Sequence, residues 1–265
     1  MTLPSKMSYG NPLISALRPT QAIVSILCEH VLAMIRSMSQ SLRDTDKAKP
    51  AISLRPAVES GVSALIEYVE RIALLLETFR EIFGAVSTAV TTKDVALDTH
   101  LHNISGEYDV FSRRVESARL CSAATLKALD LYEHAVMKAL AYDPITHFLV
   151  FYIFSPIVYH WNMAKYVSEC EHALRVIPSQ MNTIRYLIRE DQRSIRELES
   201  ALNEMRDRFK VSGLEHVRGL PDDARSQVAS VITRAAGKLW GDGQTLRLHM
   251  QLAAEDREFR CWGSA

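Results

Sequence analysis

Apolar residues recur along this chain in alternating steps of four and three. Val58, Val62, Leu65, Val69, Ile72, Leu76, Phe79 and Phe83 follow one another without a missed step, the seam of a coiled coil or a long bundle helix. Ile66, Ala73, Leu74, Leu75 and Ile82 widen that seam into a stripe, which suits a helix with more than one neighbour. Pro56 fits its first turn and Gly84 is the expected end, with 85–92 left as a hinge or a packed linker.

The same rhythm predicts the other elements. Val24, Leu27, Val31, Met34, Met38 and Leu42 mark a helix from about 19 to 43, with Pro19 in its first turn. Thr92 reads as an N-cap before the seam of Leu97, Leu101, Ile104, Tyr108, Phe111, Val115 and Ala118, and Asp94 suits the positive end of that helix. This seam weakens at Ser122 and Thr125 and resumes at Leu129, Tyr132, Val136 and Leu140, with a bend expected near Gly106. Beyond Pro156, a helix through Tyr166, Cys170, Ala173 and Val176 is expected to end at Pro178, and Ser179 to cap the next. That next helix carries Met181, Ile184, Ile188, Ile195, Leu198, Leu202, Met205 and Phe209, with Asp191 as the interruption. Residues 211–221 hold two glycines and a proline and read as a boundary; Val228, Val231, Ala235 and Leu239 mark a helix that Gly241-Asp242-Gly243 breaks, and Leu248, Leu252 and Phe259 a last one.

Seven helices and no convincing strand define the expected fold class: all-α, an elongated multi-helix bundle with long heptad-patterned antiparallel helices. The expected organisation is an irregular N-terminal arm over 1–18, the long-helix bundle over 19–210, and a C-terminal helical hairpin over 212–265 packed on or beside it.

One stretch departs from the pattern. Residues 144–164, PITHFLVFYIFSPIVYHWNMA, run twenty-one positions without a charge. As a helix they would reach ~31 Å, the thickness of a bilayer's hydrocarbon core. Thr146, His147, Ser155, Pro156, His160 and Asn162 are scattered through the stretch and offset its apolar content. Pro156 breaks or kinks it into halves too short to span. The stretch therefore reads first as a buried helix or helix pair, and second as a segment released to a membrane or partner. The residues expected to face that partner or membrane are Phe148, Phe151, Tyr152, Phe154, Tyr159 and Trp161, with core filling as the plain alternative.

Composition narrows the function. At 48% hydrophobic, 265 residues can bury a large core. Thirty-one basic residues balance thirty-one acidic ones, without the basic patch that nucleic acid or anionic lipid requires. The start lacks the apolar core of a secretory signal, so a cytoplasmic location is expected. Cys28, Cys121, Cys170 and Cys261 form no CxxC pair and read as reduced thiols.

The search for chemistry returns little. His100 and His102 stand two apart and point to different helix faces, and Cys170 and His172 do the same. HExxH, GxSxG and a phosphate-cradling loop are all missing. His134 reads as a surface histidine; His147 and His160 read as hydrogen-bonded core residues, with a pH switch as their alternative. No catalytic, cofactor or metal residues are named, and no cofactor is expected. The expectation is a non-enzymatic bundle acting through protein–protein contact, self-association included. The alternative is a membrane-acting bundle, pore-forming or cell-death-type in general layout, that deploys 144–164.

Overall fold

The computed structural model describes residues 11–48, 53–92, 96–141, 157–208 and 211–255. Six helices account for nearly all of them: α1 (Asn11–Ala48), α2 (Arg55–Thr91), α3 (Leu97–Ala141), α4 (Ile157–Arg208), α5 (Val211–Arg218) and α6 (Asp222–Glu255). The fold is an all-α multi-helix bundle, and no strand occurs among the described residues.

The four-three rhythm is what lies buried. In α2 it runs through all eight expected positions and on to Val86 and Val90, each at most 5% exposed. In α3 it holds from Ile104 through Tyr108, Phe111, Val115 and Ala118 to Leu129, Tyr132, Val136 and Ala139. Ser122 and Thr125, where the apolar pattern weakens, occupy the seam and are buried. In α4 the buried line is Cys170, Leu174, Ile177, Met181, Ile184, Ile188, Asp191, Ile195, Leu198 and Leu202.

Several expected breaks are absent. Helix α2 continues through Gly84 to Thr91, because Val86, Ala89 and Val90 are buried and hold the last turns in place. Helix α3 begins at Leu97, with Asp98 in its first turn, and runs without interruption through Gly106. Pro178 lies inside α4 instead of ending it. A proline in a helix interior costs ~3 kcal/mol. Here Leu174 and Ile177 before it and Met181 and Ile184 after it are all buried on one line, and that burial outweighs the lost hydrogen bond. Ser179 is accordingly not a cap; its carbonyl accepts a hydrogen bond from Thr183 Oγ1 at 3.2 Å. The burial line also shifts the expected face of α4: Tyr166 and Val176 are exposed, and Leu174 and Ile177 take their places inside.

At the ends, α1 begins at Asn11, ahead of Pro19. The expected boundary over 211–221 contains the short helix α5, and α6 passes through Gly241-Asp242-Gly243 as one element of 34 residues. Two glycines at ~1 kcal/mol each do not break a helix of that length.

The helices contribute to two compact units, each assembled from separate stretches. The first comprises Met1–Ile26, Val69–Leu120 and Arg189–Gln251; the second comprises Leu27–Tyr68, Cys121–Ile188 and Leu252–Ala265. The first unit is built around aromatic rings, with Phe79 edge-on to Phe111 at 5.1 Å between centroids and tilted against Phe83 at 6.3 Å. The second is filled by Leu27, Met34 and Met38 of α1, Leu65 and Tyr68 of α2, Tyr132 and Val136 of α3, and Leu174 to Ile188 of α4.

Candidate interaction surfaces

Each unit presents polar groups in two settings, on the seams and at the surface. In the second unit three seam hydroxyls reach across helices. Ser41 Oγ donates to the Met38 carbonyl at 2.8 Å and accepts from the Tyr132 hydroxyl at 2.8 Å, joining α1 to α3. Thr45 Oγ1 lies 3.6 Å from Cys170 Sγ and joins α1 to α4. Thr125 Oγ1 sits 2.9 Å from the Cys121 carbonyl of its own helix and 3.1 Å from the Ala64 carbonyl of α2. A polar group at a seam position is satisfied in one register only, so these hydroxyls align the helices as well as stabilise them.

Gly61 marks the closest approach there. A Cβ on it would overlap the Met38 methyl and stand 3.9 Å from Tyr132 Cβ. Arg185 of α4, its side chain 14% exposed, is gripped at 2.6 Å by both Asp130 and Glu133 of α3. The Arg185–Glu133 contact is partly buried and screened less than a surface pair, whereas Asp130 stands largely in solvent.

Outside this core the second unit keeps large apolar side chains in water. Leu131 (56%) and Met137 stand on α3, and Tyr166, Val176 and Tyr186 (61%) on α4. Tyr186 directly follows the clamped Arg185, so its backbone is held while its ring is open to solvent.

In the first unit, Arg114 of α3 donates through Nη1 to the Leu74 carbonyl at 2.9 Å and to Thr78 Oγ1 at 2.8 Å. These bonds and the Phe79–Phe111 contact set α2 and α3 antiparallel in this unit. Arg218 Nη2 donates to the Thr92 carbonyl at 2.8 Å and fastens α5 to the end of α2. The Arg206 guanidinium stacks 5.8 Å above the Tyr108 ring, whose hydroxyl is buried. Burial pushes that phenol well above its usual range, while Arg206 pulls it down and Asp207 pushes it up. An open groove of about 500 Å³ lies along α2 and α3, lined by Glu81, Gly84, Ala85, His102, Gly106 and Glu107.

Of the residues expected to face a partner or membrane, Phe148, Phe151, Tyr152 and Phe154 lie outside the described residues. Tyr159 and Trp161 fall in the first turns of α4. His147 is outside the described residues, and His134 is exposed as expected. His100 is buried and His102 lines the groove, on the separate faces that their spacing requires. Cys28 and Cys170 are buried thiols and Cys121 is half-buried. Among the described residues no three His, Cys, Asp or Glu side chains converge as metal ligands would. No helix among them is long and apolar enough to cross a membrane.

The groove and the seam hydroxyls were not anticipated from the sequence. For Ser41, Thr45, Ser122 and Thr125 a usable signal exists, since extending the four-three count from the apolar positions lands on each of them. The groove has no such signal.

Comparison with known proteins returns no matching family model, no matching curated protein and no matching solved structure. The class that fold and surfaces define is therefore stated at the level of architecture: a helical bundle with polar-pinned seams and exposed apolar side chains.

Proposed function

We propose that this protein is a non-enzymatic helical bundle that works through protein–protein association, a second copy of itself included. The observation that carries this reading is the exposure of Leu131, Met137, Tyr166, Val176 and Tyr186 on a unit whose own seams are already filled. Large apolar side chains left in water gain free energy when a partner covers them, at ~25 cal/mol per Å² buried. Sedimentation velocity over a wide concentration range tests it. The sedimentation coefficient is expected to rise with concentration, and Leu131→Glu or Tyr186→Glu to abolish the rise. A monomer at every concentration, with both variants indistinguishable from the parent, overturns self-association.

The uncharged run over 144–164 favours a second reading, a membrane-acting bundle that deploys this segment. Flotation with liposomes between pH 5 and 7.5 separates the two. Membrane action requires the intact protein to float and Phe151→Asp to stay behind; if both remain in the soluble fraction, this second reading is lost.

A further inference from the structure

The groove on the first unit is lined in part by two glycines, Gly84 and Gly106. The antiparallel offset that sets Phe79 against Phe111 also places Gly84 of α2 level with Gly106 of α3. Both are exposed positions inside long helices, and neither has any atom within 4 Å of where a Cβ would stand. Packing within the protein therefore does not call for glycine at either place, unlike Gly61, whose missing Cβ makes room for Met38. A helix-interior glycine weakens its helix, and its structural use is to let another backbone come close. Both line this one groove, and the open space where their Cβ atoms would stand forms a slot in it. The walls of the slot are acidic: Glu81 rises from α2 and Glu107 from α3, while His102 adds a polar edge. Glu81 already has Arg114 at 3.8 Å, yet half of its side chain remains exposed.

We propose that this groove docks a helix of a protein partner that inserts a lysine or arginine side chain between Glu81 and Glu107, with Gly84 and Gly106 admitting the partner's backbone. The assignment rests on the protein-association reading and names the chemistry of the partner. Charge decides the occupant: a cationic side chain meets two carboxylates there, whereas an acidic one meets like charge on both walls. Binding falls as salt rises, because the groove is open to solvent and its charges are screened over a Debye length.

Fluorescence anisotropy with a labelled alanine–lysine helical peptide tests this on the intact protein, with an alanine–glutamate peptide as control. The expected result is saturable binding of the lysine peptide alone. It should weaken about tenfold or more in Gly106→Leu, which fills the slot, and in Glu107→Lys, which reverses one wall. Circular dichroism should be unchanged in both, with the thermal midpoint unchanged in Glu107→Lys and raised in Gly106→Leu, where leucine is the better helix former. If Gly106→Leu lowers the midpoint, Glu107→Lys and the milder Glu107→Gln carry the comparison. Absence of saturable binding, equal affinity in the Glu107 variants, or equal binding of the glutamate peptide overturns the proposal. Leu131→Glu lies on the other unit and should leave peptide binding intact, so loss of self-association and loss of groove binding are read separately.

Discussion

At the scale of single residues, the Ser41–Tyr132 pair shows how a buried hydroxyl can matter more for what it leaves behind than for what it makes. Tyr132→Phe removes one hydrogen bond but leaves Ser41 donating to Met38, a loss of ~0.5–1.5 kcal/mol. Ser41→Ala instead strands a fully buried phenol hydroxyl without an acceptor, at ~1–3 kcal/mol. Urea unfolding of the two variants should show Ser41→Ala as the more damaging, although each deletes a single hydroxyl. The reversed order would mean that Tyr132 finds another acceptor. These residues also mark where sequence reasoning stops. Thr125 and Ser122 look like gaps in an apolar pattern because the pattern counts carbon. That the Ala64 carbonyl waits across the interface from Thr125 is a property of the packed helices, and no local spacing contains it.

At the scale of elements, glycine and proline carry different meanings according to what surrounds them. Gly84 and Gly106 stand in open space, so Gly84→Ala and Gly106→Ala should each stabilise by ~0.5–1 kcal/mol through helix propensity alone. At Gly61 a larger side chain overpacks Met38 and Tyr132, and Gly61→Leu should destabilise by ~1–3 kcal/mol. Thermal melts of the three variants check the contrast in sign. Pro178→Ala restores an N–H to the middle of α4 and should raise stability by ~1–3 kcal/mol in urea titration. An unchanged midpoint would show that the helix has adapted fully to the ring. The long seams were legible because apolar spacing and burial share one cause, the turn of the helix. The helix ends were not, since Gly84, Gly106, Pro178 and Gly241 are weak points by propensity that tertiary burial overrides.

At the scale of the whole molecule, ionisation sets a limit on the alkaline side. Burial, with Glu29 adding to it, pushes the Cys28 thiol from 9.0 up to about 11. Burial likewise raises the Tyr132 and Tyr108 phenols above their usual value, the Ser41 hydrogen bond offsetting part of it for Tyr132. Each group keeps its proton in the fold at a pH where the unfolded chain has released it. The folded state then binds more protons, and stability falls as pH rises. Unfolding free energy should therefore be level up to about pH 8.5 and decline above it. The thiol contributes to the decline between 9.0 and about 11, and the phenols join above ~10. Cys28→Ala should flatten the first part of that decline, read as a change of slope with pH so that any packing loss cancels. The net charge of zero and isoelectric point near 7.1 place the weakest charge repulsion between copies close to neutral pH. Concentration-dependent sedimentation should be strongest there.

Each compact unit is stitched from stretches that are far apart in sequence, and α1, α2, α3, α4 and α6 each change membership partway along their length, near 26, 68, 120, 188 and 251. No single proteolytic cut or simple truncation can liberate either half with its interior complete, because the three stretches of each unit alternate along the chain with those of the other. Dissection therefore calls for splicing: the three stretches of one unit must be joined to each other by new turns, so that one half is produced as an uninterrupted chain.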